Sequence, residues 1–300
     1  MVYADLHVHT DCSDGQLTLP EVPAAARRAG VSVVAVTDHD RLHPRFEAPV
    51  VAMGPDGGTT PVDPGRDPPP GDGTVTDGDG TVTDGDGTVT DGDGVVTVVR
   101  GIELRVEAGD QRVDLLGYAA RETDALTDEV ERIQTDRKER GRAIVECVED
   151  RLGIDLDLEP RRGLGRPHIA RAVDEHPGTD LDYDDAFDRL IGNDGPCYVA
   201  RDVPGFEAGR RILADSCALV ALAHPLRYPD PEAALELAAD LDGVERYYPY
   251  GREVDPGPVD RAIAADDLVP AGGSDAHDDR LGLAGLDREE FDRVWAALAG

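Results

Sequence analysis

Two histidines lie one residue apart near the start of the chain, in the stretch DLHVHTDCSDG that begins at Asp5. Alternate residues of a β-strand project from the same face, so His7 and His9 could bind one ion if this stretch is a strand. Asp14 follows within the next few residues. Imidazole and carboxylate groups together suit zinc, manganese and iron. Because an isolated HxH pair is more often structural than metal-binding, the interpretation depends on the rest of the chain.

Ionisable side chains of the same kind accompany five further apolar runs. These runs, each typical of a strand buried on both faces, are VSVVAVTDH, VVTVVRGIEL, RVDLLGY, ALVALAHP and LVPAGGSDAH. The side chains that end them or lie within them are Asp38, His39, Asp40, Glu103, Asp114, His224, Asp275 and His277. In parallel α/β sheets the active site lies at the carboxyl ends of the strands. Burying so many ionisable groups is very costly unless metal ions compensate their charge, so the sequence predicts a metal site.

The elements that must position these side chains alternate along the chain. Amphipathic segments such as PEVPAAARRAG, PEAALELAADL and PVDRAIAADD separate the apolar runs. This alternation predicts a parallel α/β sheet, either open or closed into a barrel. From about residue 123 the pattern is helical instead, with Leu126, Val130 and Ile133 on one helix face. We interpret this block as a helical subdomain inserted between two strands, where it could cap the mouth of the site.

A low-complexity segment interrupts the first half of the chain. Between Gly71 and Gly94 the sequence GDGTVTD occurs three times, and the surrounding Gly, Asp and Pro residues cannot bury a core. A calcium-binding repeat is one interpretation, but a period of seven does not match the known β-helix repeats. We favour a solvated, flexible insertion. The predicted organisation is a barrel formed by residues 1–122 and 195–300, with the repeat insertion at 54–94 and the helical insert at 123–194.

The chain is strongly acidic, with 63 Asp and Glu against 30 Lys and Arg, a formal net charge of -33 and a pI of about 4.4. Lys138 is the only lysine. Such a charge destabilises a compact chain by self-repulsion unless salt screens it. The composition resembles that of cytoplasmic proteins from salt-accumulating halophiles, and an acidic mesophile protein is the alternative. Both interpretations disfavour binding of duplex DNA, which requires a basic surface.

Targeting patterns, cysteines and the remaining histidines give further, weaker indications. No signal-peptide pattern and no apolar run of bilayer-spanning length is present, so we predict a cytoplasmic protein without membrane association. The four cysteines, which are Cys12, Cys147, Cys197 and Cys217, show no CxxC spacing, and we expect neither a disulfide framework nor a cysteine zinc site. Cys12 lies near the HxH pair, but we expect a small buried residue rather than an extra ligand. His43 and His176 match no motif and are assigned to the surface.

Five motifs occur in a characteristic order. HVHTDCSDG, TDHD, GIE, AHP and SDAH resemble the motifs of the PHP (polymerase and histidinol phosphatase) family. The resemblance implies a distorted (β/α)7 TIM-like barrel that binds two or three divalent ions (manganese, iron or zinc) and hydrolyses phosphoesters. The ligands that it implies are His7, His9, Asp14, His39, Glu103, His224, Asp275 and His277, and Glu103 would bridge two ions.

The chain departs from the family pattern at two places. Many relatives have histidine at the ninth ligand position, just before the LLGY-like turn, where this chain has Asp114. Aspartate can still bind metal, and its harder, anionic oxygen should favour manganese or iron over zinc. Relatives also place a crossover helix after TDHD, whereas this chain has RLHPRFEAPVVAM followed by the repeat. We therefore expect a locally irregular barrel near His39.

Three further stretches resemble one subgroup of the family. GRPHIARA, GPCYVARDVP and HPLRY are similar to segments of the members that act on nucleoside 3′,5′-bisphosphates and on 5′ ends of short RNA. The resemblance implies that Arg166, His168 and Arg227 lie near the substrate phosphate, and guanidinium groups suit phosphate. The alternative interpretation of GRPH is a turn and a helix start with a structural histidine.

These observations predict metal-assisted hydrolysis of a small phosphorylated substrate, a nucleoside 3′,5′-bisphosphate or a short oligoribonucleotide. Glu103, Arg166, His168 and Arg227 are the predicted catalytic residues, and no obligate protein partner is expected. The alternatives are another phosphatase specificity such as histidinol phosphate, an amidohydrolase-type barrel, and a non-catalytic metal-binding PHP-like domain. Amidohydrolase barrels usually carry a metal-bridging lysine, but Lys138 lies in a polar helix pattern away from any strand end.

Overall fold

The structure is a computed structural model that describes residues 1–66 and 94–300. Most of the Gly/Asp repeat therefore lies outside the described residues. The strands of the described residues are β1 (Ala4–Val8), β2 (Val33–Val36), β3 (Val50–Met53), β4 (Thr59–Pro61), β5 (Val96–Ala108), β6 (Gln111–Tyr118), β7 (Leu219–Leu222), β8 (Gly243–Tyr247) and β9 (Val269–Gly272). The α-helices are α1 (Val22–Ala29), α2 (Asp124–Leu152), α3 (Arg166–Asp174), α4 (Tyr183–Ala186), α5 (Phe206–Ser216), α6 (Pro231–Ala238), α7 (Gly257–Asp266) and α8 (Arg288–Leu298).

One mixed sheet has the strand order β1-β2-β5-β6-β7-β8-β9. The strand pairs β1–β2 and β2–β5 at one end and β7–β8 and β8–β9 at the other are parallel. Strand β6 pairs antiparallel with both β5 and β7. The expectation of a wholly parallel sheet is therefore wrong at β6. Only Gly109 and Asp110 connect Ala108 to Gln111, and a two-residue turn of this kind reverses the chain into a hairpin. Gly109 has φ +64, a conformation that glycine adopts without strain.

The sheet curls until its first and last strands approach each other. Val8 at the end of β1 forms a parallel bridge with Ala276, just beyond β9, and His9 N–H donates to Ala276 O at 2.9 Å. One apolar cluster joins Ala4 of β1 and Ala271 of β9 to Phe291 and Trp295 of α8. The carboxyl ends of the parallel strands are thereby brought around one common centre.

The connection after TDHD contains strands instead of a crossover helix. Between residues 40 and 66, β3 pairs antiparallel with β4 and with the first half of β5. This irregularity agrees with the expectation for the segment near His39. The second half of β5 extends beyond β2 and pairs with β6, so this 13-residue strand links the two halves of the sheet.

The predicted amphipathic segments form helices α1, α6 and α7, whereas strand β8 and helix α8 were not predicted. Helix α1 ends at Gly30, which has φ 72, the left-handed geometry typical of a helix C-terminus. Proline follows the first residue of α1 and begins α6, where its fixed φ suits the first helical turn. Within the described residues, no helix is both long and apolar enough to cross a membrane.

A layer of helices connects β6 to the second half of the sheet. Helix α2 begins after Thr123, whose Oγ1 accepts from Leu126 N–H at 3.3 Å, and runs for 29 residues. Helices α2, α3 and α4 pack around their own apolar cluster, which includes Ile144, Ile169 and Ile191. These helices lie within residues 123–194, where the sequence pattern predicts helices.

Three assignments from the sequence are wrong. Cys147 of α2 and Cys197 form a disulfide across 50 residues, although no disulfide was expected. The helical layer brings the two cysteines to a Cα–Cα distance of 5.6 Å, which sequence spacing could not reveal. His43 is 5% exposed instead of lying on the surface, and its ring packs edge-on against Phe46. Cys12 is a free, partly exposed thiol and not the buried residue that was expected. His176 is partly exposed.

Candidate metal centre

Strand β1 supplies the first two imidazoles of the site. All five of its residues are buried, and His7 and the following His9 are fully enclosed, with ring centroids 5.2 Å apart. The loop that follows is folded onto the buried Asp38. The Asp38 carboxylate accepts from Thr10 N–H at 2.9 Å, from Thr10 Oγ1 at 2.7 Å and from Ser13 Oγ at 2.6 Å. This anchoring turns the loop back, so Asp14 reaches the imidazoles.

Among the described residues, three groups of side chains have ligand atoms within 4.8 Å of one another. The first group contains His9, Asp14, His39 and His277. The second contains His7, His9 and Asp275, and the third contains Glu103, Asp114 and His224. All nine residues predicted as ligands therefore lie in one of these groups. They come from six segments of the chain, and the curled sheet brings those segments together.

Distances within the groups are short. Asp14 Oδ1 lies 3.3 Å from His277 Nε2, and Asp14 Oδ2 lies 3.7 Å from His39 Nε2. Asp275 Oδ1 lies 3.0 Å from His9 Nε2 and 3.5 Å from His7 Nε2. Asp14 therefore faces two imidazoles, and Asp275 faces three, because its Oδ1 also lies 3.7 Å from His277 Nδ1. Burial raises the pKa of Asp14, but the neighbouring histidines outweigh burial and hold that pKa below its usual value.

Glu103 lies at the centre of the cluster and is 1% exposed. Its Oε2 is 2.7 Å from His39 Nδ1, 3.5 Å from His9 Nε2 and 3.6 Å from His7 Nε2. Its Oε1 is 3.0 Å from His224 Nε2. One carboxylate thus faces four imidazoles. Burial raises the pKa of Glu103, but His39 and His7 outweigh burial and lower that pKa well below its usual value.

Two buried carboxylates, Glu245 and Asp5, contact ligand residues or their neighbours in the chain. Neither was assigned a role from the sequence. Glu245 Oε1 lies 3.1 Å from His7 Nδ1, and Glu245 Oε2 accepts from His224 N–H at 2.6 Å. Asp5 accepts from the amide and the hydroxyl of Ser274 at 2.8 and 2.6 Å. The only sequence signal for Glu245 was a charged residue within the Tyr-rich stretch GVERYYPY.

The cluster is suited to divalent metal ions. His7 Nε2 is buried without a hydrogen bond, although oxygens of Glu103 and Asp275 lie within 3.6 Å. His9 Nδ1 is also buried without a partner. Such orphaned polar atoms are costly inside a protein unless a ligand or an ion satisfies them. Imidazole nitrogens and carboxylate oxygens in this number are the donors that zinc, manganese and iron prefer.

The three predicted substrate residues occupy different positions. Arg227 Nη1 lies 3.1 Å from Asp275 Oδ2 and 2.7 Å from Tyr248 Oη, so this guanidinium borders the metal-capable cluster. Arg166 donates to Ile191 O at 3.0 Å within the helical layer. His168 Nδ1 accepts from Gly165 N–H at 3.1 Å, which is the helix-start role that sequence reasoning left open. Burial and the nearby charge of Arg161 lower the pKa of His168.

A group of arginines adjoins the cluster on the side of the helical layer. Buried Asp40, next to His39, forms ion pairs with Arg137 at 2.9 Å and with Arg201 at 3.4 Å. Arg140 of α2 is 4% exposed, its Nε is buried without a hydrogen-bond partner, and its guanidinium forms no ion pair with another described residue. Burial, Arg137 and Arg166 lower the pKa of Arg140 to about 10. A locally positive region therefore lies within a strongly acidic protein.

Comparison with known proteins agrees with this geometry. The sequence profile of the PHP domain matches residues 5–163. No curated protein matches the chain. A candidate metal-dependent phosphoesterase from Bifidobacterium adolescentis has the same fold, with 21% identity, a TM-score of 0.72, and coverage of 99% of this chain and 96% of that protein. An amidohydrolase from Chromobacterium violaceum, solved with sulfate and no metal, has 20% identity, a TM-score of 0.66, and coverage of 97% and 96%. Because the PHP profile spans more than half of the chain, the protein belongs to the PHP domain family.

Proposed function

We propose that the protein is a metal-dependent phosphoesterase that hydrolyses a small phosphorylated substrate. The observation that carries the proposal is Glu103, a buried carboxylate that faces four imidazoles. Two or three divalent ions, manganese, iron or zinc, would be held by the nine residues of the three groups. Bound ions of this kind generate hydroxide from water at neutral pH and neutralise phosphoryl oxygens. The B. adolescentis protein, which shares the fold, carries the name of this activity.

The surrounding residues have complementary roles in this proposal. Glu103 would serve as a carboxylate ligand of the bound ions, and its two oxygens face different imidazoles. Arg227, whose side chain is half exposed, is free to turn from Asp275 toward a phosphoryl oxygen and to neutralise its developing charge. Tyr248 Oη donates to Asp275 Oδ2 at 2.8 Å and keeps that carboxylate oriented when Arg227 moves. His168 and Arg166 of helix α3 would contact the substrate phosphate in this proposal.

The arginines beside the helical layer support a substrate with a second anionic group. A buried guanidinium that forms no ion pair with another described residue, such as that of Arg140, is unfavourable unless an anion binds it. Arg166 lies close enough to Arg140 to lower its pKa, and its own described partners are uncharged. We therefore propose a nucleoside 3′,5′-bisphosphate or a short oligoribonucleotide as substrate. In this proposal the sheet is a distorted (β/α)7 barrel, and α2, α3 and α4 form the inserted subdomain that caps it.

The test is phosphate release in molar KCl with Mn²⁺, using adenosine 3′,5′-bisphosphate and p-nitrophenyl phosphate as paired substrates. We expect a strong preference for the bisphosphate and no turnover by Glu103→Ala. Arg140→Met should reduce the preference, and Lys138→Met, which removes an exposed cation from the same helix, should not. Equal turnover of both substrates would favour another specificity such as histidinol phosphate. Absence of any turnover, with metal bound, would favour a non-catalytic PHP-like domain.

A further inference from the structure

Arg105 and Asp114 face each other in the β5–β6 hairpin. The two-residue turn at Gly109 and Asp110 sets a register in which Arg105 lies directly opposite Asp114. Residues two apart in a strand share a face, so Arg105 projects to the same side of the sheet as Glu103. The Arg105 side chain therefore extends toward the third metal-capable group, which contains Glu103, Asp114 and His224.

The guanidinium of Arg105 donates hydrogen bonds to both carboxylate oxygens of Asp114. Arg105 Nε donates to Asp114 Oδ1 at 2.6 Å, and Arg105 Nη2 donates to Asp114 Oδ2 in parallel. Parallel donation of this kind is the strongest and most directional form of an arginine–carboxylate pair. Asp114 is 1% exposed, so solvent screens the pair little. His224 Nε2 is 3.7 Å from Asp114 Oδ2 but 3.0 Å from Glu103 Oε1.

Asp275 provides an internal comparison. Arg227 and Tyr248 contact only its Oδ2, and Oδ1 remains directed at His9 and His7. The Arg227 side chain is 51% exposed, against 32% for Arg105. Arg227 can therefore leave a metal ligand free. Arg105 instead places a positive charge beside Asp114. The other carboxylate of the third group, Glu103, lies at the centre of the cluster.

We propose that the guanidinium of Arg105 takes the place of a divalent ion at the third group, so that the chain binds two ions and not three. Without Arg105 the group contains two carboxylates and a neutral imidazole, whose charge matches a divalent ion. With Arg105 one of the two negative charges is already neutralised, and an ion beside Asp114 would be repelled. The inference rests on the proposed metal-dependent function and limits its cofactor to the first two groups.

The test counts bound Mn²⁺ by elemental analysis after removal of free ion in molar KCl. We expect two ions per chain in the wild-type protein and three in Arg105→Met, which removes the charge but keeps an apolar side chain of similar length. Arg105→Lys is the matched control, because it keeps a cation near Asp114, and should bind two. Three ions in the wild type, or two in Arg105→Met, would overturn the inference and leave the proposed function intact. A wild-type protein without bound Mn²⁺ would overturn the proposed function as well.

A second measurement does not depend on the folding of a variant. Crystals of the wild-type protein grown with Mn²⁺ should give two anomalous peaks, one within the first group and one within the second. A peak at coordination distance from Asp114 would contradict the replacement of an ion by Arg105.

Discussion

His7 Nδ1 lies 3.1 Å from Glu245 Oε1, so a carboxylate on β8 fixes the orientation of an imidazole on β1. The same carboxylate accepts from His224 N–H at 2.6 Å and thereby also positions the turn after β7. Metal-binding histidines commonly donate their second ring N–H to a carboxylate, which fixes the tautomer and strengthens the ligand. Glu245 is therefore a positioning residue for two imidazoles, although it contacts none of the other ligands in the described structure.

Glu245→Gln should weaken metal binding without unfolding the chain. The glutamine amide is neutral, and only its oxygen can accept a hydrogen bond. The variant therefore loses either the contact with His7 Nδ1 or the hydrogen bond from His224 N–H. We expect the affinity for Mn²⁺ to fall by about 10–100-fold. Titration of the metal-free protein with Mn²⁺ measures the change, and Glu236→Gln on the exposed side of α6 is the control. Equal Mn²⁺ affinities of the two variants would show that the charge of Glu245 does not contribute to metal binding.

Asp40→Asn should destabilise the chain. Burial raises the pKa of Asp40, but Arg137 and Arg201 outweigh burial and hold that pKa below its usual value. Removing the carboxylate leaves buried guanidinium groups unpaired, which typically costs about 3–5 kcal/mol. Asparagine tolerates the φ of 53 at this position, so backbone strain does not contribute. Asp292→Asn, which breaks an exposed pair with Arg288, should cost about 1 kcal/mol or less.

The stability provided by Asp40 should depend on pH in one direction. Because the folded-state pKa is lowered, the contribution is fully present above the unfolded-state pKa of about 3.9 and is lost as the pH falls through the folded-state value. The difference in the free energy of unfolding between wild type and Asp40→Asn should be constant from about pH 7 to pH 5. It should shrink below about pH 4. Urea unfolding at several pH values measures it, and a difference that grows on acidification would contradict the assignment.

The Cys147–Cys197 disulfide should stabilise the helical layer. Closing a loop of 50 residues lowers the entropy of the unfolded chain by an amount worth about 4 kcal/mol. We expect denatured, unreduced protein to show two reactive thiols, from Cys12 and Cys217, and reduced protein to show four. Reduction should lower the stability of the wild type but not of the double variant Cys147→Ser/Cys197→Ser. Four thiols before reduction would exclude the disulfide.

The acidic composition should make stability depend on salt. At 1 M salt the Debye length is about 3 Å, against about 10 Å at 0.1 M, so the self-repulsion of a chain with net charge -33 is screened only at high salt. We expect transfer from molar KCl to about 0.1 M KCl to cost at least about 2 kcal/mol, or about 4–8 °C in melting temperature. NaCl at the same concentration should act similarly, because screening depends on ionic strength. An unchanged melting temperature would favour the acidic mesophile interpretation.

Several parts of the fold and the site could be predicted because their signals are local. A strand places alternate residues on one face, so the HxH spacing already indicated that His7 and His9 project together. Runs such as ALVALAHP end where the polar residue begins, which located His224 at a strand end. Helices α1, α6 and α7 follow from amphipathic spacing and proline at their first turns. The antiparallel insertion of β6 was missed, since strand direction depends on the connection and not on the apolar run.

The sequence by itself determined which residues can bind metal and that they lie at strand ends, because residue type and strand periodicity are properties of the local chain. Only the tertiary structure decided which carboxylate faces which imidazole. Glu245 approaches His7 because β8 curls around to β1, and the hairpin register, not the spacing of the motifs, places Arg105 on Asp114. The Asp40–Arg137 pair and the disulfide likewise join residues far apart in sequence. Interactions of a few ångströms cannot be predicted from one chain segment, because packing of the whole sheet sets their geometry.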